Sequence, residues 1–230
     1  MIGYFIGNEP HWQNRGLVDR ILNDPEPSAT QSSVKAQIAK GVSRDALLET
    51  LAREYFSREV AAIKKADPNH LVLGIRWAGT APDPVMRAND AFDVFSINIY
   101  KFAPPADQIR KIYELCHRPI MIGEFHFGAV GRGMAPSLVM VRDQHERGVA
   151  YRYYVEQAAA LAPIVGVHYF QFIDQPVTGR FDGENYNLGF VNVQDIPYDE
   201  MVSAAREAHN RVYRIHSGEL APTSEQAKVR

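Results

Sequence analysis

The sequence predicts an α/β protein built from parallel βαβ units. Three observations carry that reading. Five short, nearly continuous apolar runs recur along the chain, at residues 2–6, 70–77, 92–100, 118–125 and 164–172. Runs of this kind mark strands buried on both faces, because a half-solvated strand would alternate apolar with polar residues. Between the runs lie stretches with apolar residues at helical spacing. Strands alternating with helices imply right-handed crossovers between parallel strands.

The elements follow in order. The first run, "IGYFI", stops at once in Gly7, Asn8, Glu9 and Pro10. Residues from about Trp12 to Gly41 then read as a long insertion. "SRDALLETLAREYFSREVAAIKKADPNH" predicts a helix: Ser43 is a suitable N-cap, and Leu47, Leu48, Leu51, Phe56, Val60 and Ile63 recur near helical spacing. The runs "HLVLGIRW" and "FDVFSINIY" come next, followed by a shorter helix, "PADQIRKIYELC", and the run "RPIMIGEF". A second insertion, from about Phe127 to Arg142, precedes the long helix "VRDQHERGVAYRYYVEQAAALA" and the last run, "IVGVHYFQF". "DEMVSAAREAHNRVYRIH" predicts the closing helix. Residues 1–216 are thus expected to form the folded part, and the polar tail 217–230 to be disordered.

Composition narrows the function classes. The 230 residues are 46% hydrophobic and carry a formal charge of −2, which describes a globular domain with a sizeable core. Near-neutral charge offers no electrostatic footprint for nucleic acid or an anionic membrane surface. No apolar run approaches the roughly 20 residues of a bilayer span. The single cysteine, Cys116, excludes an intrachain disulfide, and its setting predicts a small buried hydrophobe rather than a reactive thiol. No basic n-region followed by an apolar h-region opens the chain, and localisation and oligomeric state are left open.

Chemistry is expected where strands end, since α/β proteins place their sites in the loops that follow. Glu9 and Glu124 occupy equivalent places at the ends of two runs. In a parallel barrel all strand C-termini face one way, so both carboxylates would open into one mouth. Such a pair suits glycoside hydrolysis, with one group as acid/base and the other as nucleophile. Asn8 can donate to a sugar hydroxyl, and Tyr100, closing the third run, can hold the nucleophile's carboxylate. Trp12, Trp77, Tyr169 and Phe172 are candidates to stack on sugar faces. Arg76 ends a run beside them and is better suited to anchoring a carboxylate than to touching substrate. This chemistry needs no cofactor and no metal, and its partner is an oligo- or polysaccharide. Two rival readings stand beside it. Glu124 and His126 share a strand face and, with His168 and Asp174, outline a metal-dependent barrel hydrolase, though paired histidines are missing. The other rival is a catalytically inactive, carbohydrate-binding remnant.

The arrangement resembles clan A retaining glycosidases. The resemblance rests on Asn8-Glu9 at one strand end, an aromatic-ending strand two further on, and Glu124 at the next. It implies an eight-stranded TIM-type (β/α)8 barrel, with Glu9 as acid/base on the fourth strand and Glu124 as nucleophile on the seventh. Asn8 would then bind the 2-hydroxyl and Tyr100 would orient Glu124. A narrower resemblance is to glycoside hydrolase family 50, the β-agarases. It rests on "IGEFHFGAVGRGM", "RGVAYRYYVEQA" and "GVHYFQFIDQPVTGRFDGENYNLGFVNVQDIPYDEM", and runs from about Ile2 to about Arg214. It implies a β-galactosidic bond in an agar-type galactan as the target. It also implies that His126, Gln171, Asp174 and the "TGRFDGENYN" loop, with Arg180 and Glu184, lie around the sugar subsites. Two positions depart from the family pattern: Gly7 stands where Asp is expected and Tyr169 where Trp is expected. Both neighbour the sugar subsite. On this resemblance the five runs are strands four to eight of an incomplete TIM-type barrel. A whole barrel takes about 250 residues, so three further βα units are expected upstream of Met1.

Overall fold

The computed structural model describes residues 1–13, 16–131, 133–135 and 137–229. It is an α/β protein with parallel sheets. In chain order the elements are β1 (Gly3–Tyr4), α1 (Leu17–Leu22), α2 (Ala29–Ala39), α3 (Arg44–Ala66), β2 (Leu71–Val72), β3 (Trp77–Ala78), α4 (Asp83–Ala88), β4 (Phe95–Asn98), α5 (Ala106–Cys116), β5 (Ile120–Phe125), β6 (Gly128–Ala129), β7 (Met140–Val141), α6 (Gln144–Ala159), β8 (Ile164–Tyr169), α7 (Asp199–His209) and α8 (Val212–His216). The chain divides into two compact units: Met1–Ile97 with Arg110–Ile120, and Asn98–Ile109 with Met121–Arg230. Among the described residues no helix is long and apolar enough to cross a membrane.

In the first unit, β1 and β2 pair in parallel with Gly3 opposite Leu71. The backbone ladder continues beyond the regular strands: Leu71 N–H bonds Ile2 O, Leu73 N–H bonds Tyr4 O, Ile6 N–H bonds Gly74 O and Glu9 N–H bonds Arg76 O. The first two apolar runs are thus engaged along their length, although only Gly3–Tyr4 of the first and Leu71, Val72 and Trp77 of the second are regular. Gly74 explains the interruption. Its φ is 84°, and a side chain there would meet Val94 O at 2.9 Å. The third run joins on the far side, with Val94 N–H bonding Val72 O. The expected helix over 44–66 forms as α3. Ser43 caps it by accepting Ala46 N–H at 3.2 Å, and Leu47, Leu48, Ala52 and Phe56 are its buried face. Phe56 meets the rings of Trp77 and Phe92. The first insertion is not a plain loop. It folds α1 and α2, the latter capped by Ser28. Cys116 is fully buried and its thiol is pushed up by burial, which suits a packed hydrophobe.

In the second unit, β5 is flanked on both edges. Ile99 N–H bonds Glu124 O on one side, and Phe170 N–H bonds Phe125 O on the other. All six β5 residues are buried. β8 departs from the expectation that every run is buried on both faces. Its residues are mostly part-exposed, and Val165 is 56% exposed, because among the described strands only β5 neighbours it. The helix expected over 141–162 forms as α6 over Gln144–Ala159, with Asp143 accepting Glu146 N–H at 3.0 Å. Tyr154 on α6 lies parallel to the Phe125 ring at 4.2 Å and donates its hydroxyl proton to Ile99 O at 2.9 Å. One helix was expected at the C-terminal end; the chain instead closes α7 at Asn210 and starts α8. The tail expected to be disordered lies along α6. Thr223 N–H bonds Glu156 Oε2, Gln157 Nε2 donates to Thr223 O, and Lys228 N–H bonds Glu146 Oε2. Backbone amides accepted by two buried carboxylates give this polar segment a fixed path that its composition does not reveal.

Candidate active site

The predicted residues fall on both units, and each group has its own construction. In the first unit, Asn8 and Glu9 are exposed where the first run ends, with Trp12 and Arg76 half-buried nearby in sequence or in the ladder. The backbone at this end is unusual. Glu9 has φ 50° and Arg76 has φ 52°, both in the left-handed region that non-glycine residues rarely occupy. Their conformations are coupled, because Glu9 N–H bonds Arg76 O at 3.0 Å. Arg76 is fixed further by its own N–H to Ser96 Oγ at 2.9 Å and by its guanidinium over the Phe5 ring at 5.2 Å. Backbone outliers of this kind persist where the surroundings over-determine them, and they cluster at functional sites. Trp12 packs against Tyr55 and Phe56. Trp77, a stacking candidate from sequence, is fully buried, donates Nε1–H to Asn89 Oδ1 at 2.9 Å and belongs to the core.

In the second unit the strand ends of β4 and β5 bring Tyr100 and Glu124 together. Glu124 is the penultimate residue of β5 and only 8% exposed. The Tyr100 hydroxyl donates to Glu124 Oε2 in a short hydrogen bond. That bond fixes the carboxylate's rotation and directs its other oxygen elsewhere. His126 sits beside them, its ring 4.6 Å from that of Tyr100.

Three of the residues expected around the sugar subsites have polar atoms engaged inside the protein. His126 is 1% exposed, and both ring nitrogens are committed. Nε2 accepts Leu138 N–H at 3.2 Å, which leaves Nδ1–H to donate to Phe170 O at 3.1 Å. Burial, with a smaller push from the Arg147 charge, lowers its pKa to about 4, so the ring is neutral at pH 7. Tyr169 is half-buried, with Phe125, Tyr151 and Phe190 packed about its ring. Its hydroxyl donates to Leu188 O at 2.8 Å and accepts Phe127 N–H at 3.3 Å, and its ring is edge-on to Phe125. Asp174 is 4% exposed with both oxygens filled. Oδ1 accepts the Leu188 and Gly189 amides, and Oδ2 accepts Asn187 Nδ2 and the Tyr198 hydroxyl. His126 and Tyr169 fasten the end of β8 and the segment after it onto the β5 end of the site, and Asp174 ties that segment to itself.

The sequence reading passed over the cation that completes this fastening. Arg147 on α6 is fully buried. It donates to Phe127 O at 3.1 Å and Gly189 O at 2.6 Å, and lies over the Tyr198 ring at 5.0 Å. Arg147 opens the motif "RGVAYRYYVEQA", yet its role could not be read there, because helical charges usually face water. The remaining expected residues lie on the loop after β8. Gln171 is half-buried and donates to Ile173 O. Arg180 pairs with Asp182 at 2.5 Å and lies 3.8 Å from Glu184, which accepts Gln175 Nε2 at 2.7 Å. The Phe170–Gln171 peptide at the base of this loop is cis.

Comparison with known proteins places this construction among others. No family model matches the chain. It is 42% identical over 185 residues to β-agarase A of Vibrio sp. (strain JT0107), covering 76% of this chain and 18% of that protein. To β-agarase B of the same organism it is 38% identical over 188 residues, covering 79% of this chain and 20% of that protein. Among solved structures, the agarase AgWH50C superposes with a TM-score of 0.83 at 38% identity, over 94% of this chain and 36% of that one. An exo-β-agarase superposes with a TM-score of 0.86 at 32% identity, over 94% of this chain and 36% of that one. The chain therefore spans about a fifth of the length of the curated relatives it matches.

Proposed function

The chain is a relative of the β-agarases of glycoside hydrolase family 50, and from that premise we propose that it carries the carboxyl-bearing part of a retaining hydrolase of agar-type galactan. Its five strand segments are read as strands four to eight of a (β/α)8 barrel, within a domain of residues 1–216. Sequence-consecutive segments neighbouring one another supports that order. The second bonds the first and the third within one unit, and the fourth bonds the third and the fifth within the other.

The single observation that carries the functional reading is the Tyr100–Glu124 hydrogen bond at the end of β5. A nucleophilic carboxylate must present one oxygen to the anomeric carbon in a fixed orientation. A buried carboxylate whose other oxygen is held by a tyrosine meets that need. Glu124 attacks the anomeric carbon while the glycosidic C–O bond breaks, and Glu9 gives its proton to the departing oxygen. Glu9 then takes a proton from water, whose oxygen displaces Glu124 and releases the sugar with retained configuration. Asn8 serves the 2-hydroxyl. The mechanism requires the two carboxyl groups to be about 5–5.5 Å apart during reaction.

The test is turnover. Reducing-end release from agarose oligosaccharides is measured for the 230-residue chain and for Glu124→Gln. The expected result is turnover by the parent and a loss of at least about a thousandfold in the variant. A variant that keeps the parent rate overturns the assignment of Glu124. Galactan binding without turnover by the parent assigns the chain to the carbohydrate-binding reading instead.

A further inference from the structure

The most exposed large apolar side chain in the described structure sits on one of its best-fastened loops. Phe181 is 99% exposed. Burying such a ring would stabilise a fold by roughly 1.5–3 kcal/mol, so its position is not explained by packing. Nor is the loop slack. Gly179 N–H bonds Pro176 O at 2.8 Å, Arg180 N–H bonds Glu184 O at 2.8 Å and Gly183 N–H bonds Arg180 O at 3.0 Å. Gly179 and Gly183, at φ 89° and 87°, supply the left-handed turns that this closed loop needs. Arg180 is the loop's centre. Its guanidinium is held by Asp182, and it lies between two aromatic rings, 5.4 Å from the Phe170 centroid and 5.6 Å from that of Phe181. Arg180 Nε is buried and finds no hydrogen-bond partner among the described residues.

We propose that Phe181, backed by Arg180, is an outer stacking platform for the galactan chain, set apart from the residues that touch the reacting sugar. This deepens the proposed function and rests on it. An aromatic ring on a rigid support binds the C–H-rich face of a galactose unit at little conformational cost, because few rotamers are lost. The platform is linked to the site through packed groups: Arg180 lies over the Phe170 ring, Phe170 O accepts from His126 Nδ1–H, and the His126 ring is 4.6 Å from that of Tyr100, the residue that holds Glu124. The phenyl face gives no hydrogen bond, so it favours length of chain rather than identity of one hydroxyl. Phe181 falls inside the "TGRFDGENYN" loop, from which the sequence points to Arg180 and Glu184 alone.

The experiment is calorimetric binding of the 230-residue chain to an agarose-derived disaccharide and octasaccharide, with Phe181→Ala and Phe181→Trp. The expected result is about tenfold weaker octasaccharide binding by Phe181→Ala, the weight of one aromatic contact. Disaccharide binding stays unchanged, and Phe181→Trp restores the octasaccharide affinity. Because the ring is solvent-exposed, all three proteins are expected to melt together, which separates a binding effect from a folding one. Octasaccharide binding by Phe181→Ala within about twofold of the parent overturns the platform alone. A parent that binds xylan or cellulose oligosaccharides through Phe181, and no galactan, keeps the platform and overturns the galactan reading. A parent that binds no glycan overturns both.

Discussion

His126 commits both ring nitrogens inside the protein, and this has a consequence for stability against pH. Its folded pKa is lowered to about 4 from an ordinary 6.5. Between those values the unfolded chain binds a proton that the native chain refuses. This contribution is therefore complete above pH 6.5, falls as the pH drops towards 4 and levels off below it, for a total of roughly 3 kcal/mol. Urea unfolding at about pH 7, 5.5 and 4.5 should show the parent losing more stability than His126→Gln. Parallel losses in the two proteins would remove His126 from the account. The same residue shows what a sequence can and cannot tell about a site. The meeting of Tyr100 with Glu124 was legible because both stand at the ends of apolar runs, which fixes their direction as well as their type. His126, Tyr169 and Asp174 were legible as neighbours of the site but not in their roles. A role depends on which atoms are already engaged, and the partners come from 12 to 44 residues away.

Elements were read best where a local signal marked both ends. α3 has Ser43 at its start, an apolar stripe along it and Asp67 at its end, and it forms as expected. Replacing Ser43 with Ala should cost about 1 kcal/mol, seen as a lower denaturation midpoint with an unchanged slope. An unchanged midpoint would mean that tertiary packing alone sets this helix end. α2 escaped notice although Ser28 caps it, because its stretch has no apolar stripe; only Gln31 and Val34 are buried. The strands show the opposite error. "IVGVHYFQF" and "RPIMIGEF" look alike as strings, yet β5 is wholly buried and β8 is not. Burial of a strand depends on how many neighbours it has, and that number is a property of the sheet.

On the scale of the whole chain, its last residues are more than a tail. Glu146 and Glu156 are buried on α6, at 4% and 0% exposure, and each gives one carboxylate oxygen to a backbone amide of residues 217–229. Deleting residues 218–230 removes both donors. With about 1.5 kcal/mol or more for each charge-assisted bond, the loss is about 3 kcal/mol, or roughly 6–12 °C in melting temperature. A deletion variant that melts with the parent would show the segment to be an ornament of the fold. The segment's path was illegible for a simple reason: many of the bonds that fix it run to its main chain, and a sequence shows side chains only. Glu9 and Arg76 hold left-handed backbone that glycine or asparagine would adopt with less strain, at a cost of about 1 kcal/mol or more each. At position 9 stability and charge therefore pull in opposite directions: the exchanges that would relax the backbone, Glu9→Gly and Glu9→Asn, are also exchanges that remove the carboxylate.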